Sequence, residues 1–139
     1  MTNRTTARAY VEQAGVILEE AKSLRERGAW NLVVRRCQES VELSLKGALR
    51  AVGVEVPKVH DVGLTVQEHA GRFPAHLRGQ VSRMVLISRR LGRERELAFY
   101  GDEDAGTPPQ ALYREQDAEL ALQDAQQAFR WAQAVLEGA

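Results

Sequence analysis

Apolar residues recur along this chain at spacings of three and four, the period of a helix buried along one face, and no stretch sustains the alternation of a half-buried strand. From about Thr5 to Arg27, the residues Tyr10, Ala14, Ile17, Ala21 and Leu24 fall on one face. Thr5 and Thr6 are candidate N-caps and Gly28 is the stop. The next stretch, AWNLVVRRCQESVELSLKGALRAVG, gives the clearest helix, with Trp30, Val33, Val34, Cys37, Val41, Leu45, Ala48, Leu49 and Val52 in a continuous stripe. Asn31 is its candidate cap and Gly53 its end. So few residues separate the two helices that they must lie side by side and antiparallel.

Pro57 drives Val56 out of the helical region, so GVEVPKVHD reads as a loop. Asp61 is placed to cap a short helix, VGLTVQEHA, with Leu64 facing inward. GRFPAH interrupts the chain again, and Pro74 is expected near the first turn of a helix that runs to about Tyr100. The inner face of that helix is Leu77, Val81, Met84, Ile87 or Ser88, and Leu91. The segment 101–113, GDEDAGTPPQALY, is longer than most connections, which predicts a mobile or functional loop. A last helix from about Glu115 carries Ala118, Ala121, Leu122, Ala125, Ala128, Phe129, Ala132 and Leu136, and its alanines suit close helix approach. The pattern predicts an all-α, up-down bundle of four long helices and one short one, forming a single domain over residues 1–139.

Composition sharpens this reading. Apolar residues make up 44% of the 139 and aromatics only 6%, so the core must be built from Leu, Val, Ile and Ala. No apolar run approaches the roughly 18 residues of a membrane span, and MTNRTTARAY lacks the apolar stretch of a signal peptide. The single cysteine, Cys37, excludes an intrachain disulfide and points to the cytoplasm. Formal net charge is zero but unevenly spread. Residues 72–96 hold seven arginines against two glutamates, whereas residues 97–139 hold eight acids against two bases. A neutral chain is not a bulk nucleic-acid binder. Its arginine-rich stretch reads either as a local anion site or as a face answered by the acidic C-terminal segment of the same molecule or a partner.

Candidate chemistry is sparse. His60, His69 and His76 show no metal-ligand spacing with each other or with Cys37, and the glycines form no phosphate-binding loop. Cys37, on an apolar stripe, reads as a buried small hydrophobe. His60 lies in the loop beside Pro57 and Asp61, where it either fixes the loop or belongs to a site.

One stretch carries more. CQESVELSLKGALRAVGVEVPKVHDV resembles the signature of the HEPN domain family, with Gln38, Glu39, Glu42, Leu45 and Lys46 on the helix, then Gly53, Pro57 and His60. The arginine-rich helix ending in Phe99-Tyr100 extends the likeness over most of the chain. The resemblance implies a small helical bundle, usually a homodimer, often associated with a minimal nucleotidyltransferase in toxin–antitoxin pairs. It also implies that many relatives are metal-independent ribonucleases, whose site is an Arg followed after four to six residues by a His. There His moves the protons and Arg stabilises the phosphorane charge while the RNA 2′-OH attacks. Aligning Tyr100 with the Tyr of some active members sets Arg93 on the Arg and Ala98 where the His belongs. No other His in the chain has an arginine at that distance before it. Tyr100-Gly101-Asp102 is similar to the Tyr-Pro-Asp of members that lack the motif.

The expectation is therefore a non-catalytic accessory module with no catalytic residue, metal or cofactor. It would bind a partner protein, a nucleotidyltransferase first among them, and also a nucleotide or RNA end. The candidate ligand residues are Arg93, Arg95, Tyr100, Lys46, His60 and Asp102. On the alternative reading of the helix end, Phe99 and Tyr100 cap the core while the arginines pair with Asp102, Glu103 and Asp104. The alternative function is a metal-independent endoribonuclease with an unconventional site, built from His60 or Tyr100 with Arg93.

Overall fold

The computed structural model describes residues 3–138. Among them the long helices are α1 (Asn3–Glu26), α2 (Trp30–Ala51), α4 (Val81–Tyr100) and α5 (Glu115–Gly138), with a short α3 (Gly63–Glu68) and three 3-10 turns between them. No strand forms among the described residues; the one β-type contact is an isolated bridge between Asp102 and Thr107.

α1 and α2 form an antiparallel hairpin. Leu24 O accepts the amides of Arg27 and Ala29, and Gly28 takes the left-handed conformation (φ 67°) that closes the turn. The helices approach closely: a Cβ on Gly47 would lie 2.6 Å from Val11 Cγ2 and 3.0 Å from Ala7 O. Ser40 Oγ donates across the same seam to Ala14 O at 2.8 Å. This seam corrects the expected inner face of α1. Ala7, Val11, Ala14, Leu18 and Ala21 are buried, while Tyr10, Ile17 and Leu24 sit half-buried on its flank. Backbone contact at this distance requires small side chains at the crossing, so Gly47 meets Ala7 and Val11 there, and Tyr10, Ile17 and Leu24 move to the flank.

The N-terminal caps also differ from expectation. α1 already runs from Asn3, so Thr5 and Thr6 lie within it. Ala29, not Asn31, occupies the N-cap of α2 and makes no side-chain cap bond. Asn31 is buried and donates from Nδ2 to Ala98 O on α4 at 3.0 Å, joining two helices instead of ending one.

α2 is the central helix, packed against α1, α4 and α5. Its stripe from Val33 to Leu49 is buried as the periodicity predicts, with Trp30 and Val52 half-covered at the ends. Asp61 accepts the Gly63 amide at 2.9 Å and the Ser88 hydroxyl at 2.6 Å, fixing the start of α3 against α4. In that phase Val62, Gly63 and Val66 face inward and Leu64 is 62% exposed, contrary to its expected inward position. Pro74 stands before a 3-10 turn, Ala75–Gln80, and α4 begins only at Val81. Trp131 of α5 seals that end, edge-on to Phe73 and donating to Leu77 O at 3.0 Å.

The arginine-rich stretch is largely answered within the chain. Asp124 of α5, only 1% exposed, accepts Arg83 Nη2 at 3.2 Å and Arg90 Nε at 3.1 Å. Arg72 and Arg78 reach backbone carbonyls of neighbouring turns. The 101–114 loop is pinned at several points. Asp102 and Thr107 exchange both backbone hydrogen bonds at 2.9 Å, and Tyr113 is buried with its hydroxyl bonded to Glu94. Gly101 has φ 74°, and a Cβ there would lie 2.3 Å from Thr107 O, so only glycine lets the loop fold back on the helix end.

Candidate functional site

Two polar regions flank the α2–α4 contact, and the six candidate residues divide between them.

At the end of α4, Ala98 is fully buried, and its carbonyl accepts Asn31. Arg93 precedes it by five residues, which at 3.6 residues per turn places the two roughly 140° apart around the helix. Arg93 is exposed, with Tyr100 at 53%, so these two share the outer side that Ala98 does not. They line an open groove of about 670 Å³ with Glu96, Leu97, Gly101, Asp102, Glu103 and Asp104. One guanidinium faces four carboxylates, and no histidine lines the groove. Asp102 also serves its own turn, its Oδ1 accepting the Ala105 amide at 3.1 Å. Phe99 and Tyr100 stack edge to face at 4.9 Å, both exposed, so they do not cap the core. Arg35 of α2 lies over the Phe99 ring at 4.8 Å and donates to Arg95 O. The expected pairing of arginines with Asp102, Glu103 and Asp104 is not among the ion pairs formed.

Lys46, His60 and Arg95 belong to the second region, built on α2. Glu42 is its hub: Oε1 accepts Gln38 Nε2 at 3.1 Å and lies 3.0 Å from His60 Nδ1, while Oε2 accepts Lys46 Nζ at 2.9 Å. Gln38, 2% exposed, passes the chain on by accepting Arg95 Nη1 at 2.7 Å. Burial, the largest influence on the Glu42 carboxyl, works to raise its pKa. Hydrogen bonds from Lys46 and Gln38, the Lys46 charge and the His60 contact outweigh it, and the net result lies below the ordinary glutamate value. An ionised Glu42 can only accept, so His60 Nδ1 carries the proton and Nε2 is the imidazole's remaining nitrogen.

Gln38 and Glu42 stood in the quoted motif but not among the candidate ligand residues. Their i, i+4 steps (38, 42, 46) were the signal, since such residues stack on one helix face. Asp124 gave no such signal, because its partners are 34 and 41 residues away.

Other candidates contribute little chemistry. Burial, then the charge of Asp124, pushes the Cys37 thiol up to about 12, so it holds no thiolate near neutrality. His69 is tied to Thr65 O. Among the described residues, no three His, Cys, Asp or Glu side chains come together as metal ligands, and no helix is long and apolar enough to cross a membrane.

The model of the HEPN domain matches residues 7–135, nearly the whole chain. The chain belongs to the HEPN family. Two solved structures share the fold. TT1696 from Thermus thermophilus is 24% identical with a TM-score of 0.75, the alignment covering 92% of this chain and 96% of that one. An archaeal HEPN homologue is 22% identical with a TM-score of 0.72, over 94% and 97% of the two chains. No curated protein matches. On this HEPN bundle the motif residues of α2 bond one another around Glu42, and Arg89 and Arg93 stand exposed on α4 without an ion pair among the described residues.

Proposed function

We propose that this HEPN protein works by binding and carries no Arg–His ribonuclease site. The observation behind this reading is Ala98: a methyl group that moves no proton, sealed in the core and turned away from Arg93. The binding role is that of an accessory module that forms a homodimer and docks a partner protein, with a nucleotidyltransferase the partner class suggested by the family. A protein partner suits the α4 groove better than a nucleotide or RNA end, because four carboxylates around Arg93 repel a phosphate. Purified protein incubated with total RNA without added metal is expected to leave it intact. Cleavage that disappears in Arg93→Ala would end this reading, and titration with labelled ATP or a short oligonucleotide tests the nucleotide arm separately.

One observation favours a second reading, an endoribonuclease with an unconventional site. His60 is oriented by a half-buried carboxylate, as a general base would be, with Lys46 bonded to the same Glu42. Because Arg93 lines the separate α4 groove, this reading keeps His60 without Arg93, and cleavage abolished by His60→Ala but kept in Arg93→Ala would select it.

A further inference from the structure

α1 and α5 run antiparallel and touch at two levels. Near the start of α1, Arg4 Nη2 donates to Leu136 O at 3.2 Å. Farther along, Phe129 lies against Gly15, where a Cβ would stand 2.9 Å from the ring, so the missing side chain makes room for it. Between these contacts the two helices enclose a groove of about 270 Å³. Its floor is apolar: Val11 and Leu136 are buried and the Phe129 ring is half-buried. Its rim carries both signs, with Arg8 and Glu12 from α1 and Glu137 from α5, all exposed. Among the described residues none of these three forms a hydrogen bond or an ion pair. Farther along α1 the acids are answered, Glu19 by Lys22 and Glu20 by Arg36. Arg8 and Glu12 stand one turn apart with the base first, the weaker order for pairing within a helix, which leaves both available.

We propose that this groove binds a small zwitterion with an apolar side chain, a free α-amino acid of the leucine or phenylalanine kind. The Arg8 guanidinium receives the carboxylate, for which its planar fork of donors is suited. Glu12 and Glu137 receive the ammonium, and the side chain rests on Val11, Phe129 and Leu136. Neighbouring residues on one helix face have Cβ atoms about 5–6 Å apart, so a ligand whose two charges sit on one carbon reaches both signs. A ligand with a carboxylate alone would leave the two acids unanswered, and a phosphate would be repelled by them. The volume lies just below the roughly 300 Å³ at which sites for drug-sized ligands begin, which suits a single amino acid.

Titration of the full chain with leucine and with phenylalanine, followed through backbone amide NMR shifts, tests it. Saturation with a dissociation constant of about 1 mM or below is expected, with the shifts centred on the facing parts of α1 and α5. N-acetyl-leucine lacks the ammonium and leucinamide lacks the carboxylate, and each should bind at least about fivefold more weakly than leucine. Arg8→Gln should erase the preference over leucinamide, and Glu12→Gln with Glu137→Gln the preference over N-acetyl-leucine. Such selective losses could not come from misfolding. Absence of saturation up to about 20 mM, or shifts centred elsewhere, would overturn the proposal. N-acetyl-leucine binding as tightly as leucine would make the groove a carboxylate site alone and would overturn it equally.

Discussion

The Glu42 network and the Arg93 groove hold similar residue types in opposite states. Around Glu42 a carboxylate, an amide, a lysine, an imidazole and an arginine bond one another, all but His60 largely out of solvent, with Arg95 Nε left without a hydrogen bond. Around Arg93 the charges are exposed: Glu96 pairs with Arg35 and Arg95 and Asp102 holds its own turn, while Arg93, Glu103 and Asp104 form no ion pair among the described residues. The difference teaches where each kind of function resides. Mutually bonded, mostly half-buried groups hold α2, the His60 loop and α4 in one arrangement, whereas exposed groups without an ion pair are free to meet another molecule.

The contrast can be broken first at Ala98. Ala98→His forces an imidazole into a filled position behind Asn31, and is expected to lower stability by about 3 kcal/mol in urea denaturation. It should not create ribonuclease activity, since the position faces the core. A stable Ala98→His protein that cleaves RNA would show that this helix end opens to substrate.

A smaller effect is expected at Glu42. Glu42→Ala strips the acceptor from Gln38, Lys46 and His60 and should cost about 2 kcal/mol. The pH dependence has a definite sign. The folded Glu42 carboxyl titrates below its unfolded value of about 4.3, so its contribution is fully present above that value. It is lost as pH falls through the folded value. The stability gap between wild type and Glu42→Gln should therefore close on acidification below about pH 4, and a gap that widened there would contradict the network.

The smallest effect belongs to the groove. Arg93→Ala is expected to change monomer stability by less than about 0.5 kcal/mol, because it is exposed and bonded to no described residue. A loss as large as that of Glu42→Ala would mean that Arg93 supports the fold and would erase the contrast.

Much of this was legible beforehand. The 3.6-residue period located the four long helices, and Gly28 and Gly53 marked two ends, because burial of one face imposes that period whatever the partner. The HEPN signature was readable in Gln38, Glu42, Lys46 and His60 as a string. That these join Arg95 was not, since the joining contacts cross between elements 18 and 57 residues apart. The face of α1, the direction of Leu64 and the role of Asn31 were misplaced for a related reason. Each was settled by a neighbour, the alanine seam, the Asp61 turn or the Ala98 carbonyl, that local periodicity does not see.

The sequence by itself determined the helices, their count and the absence of a usable proton carrier at position 98, because propensity, period and side-chain identity are local properties. Only the tertiary structure decided that Ala98 faces inward, that Glu42 gathers the motif residues and that Arg89 and Arg93 have no partner among the described residues. Those outcomes depend on which side chains packing brings together, and packing is a property of the whole chain.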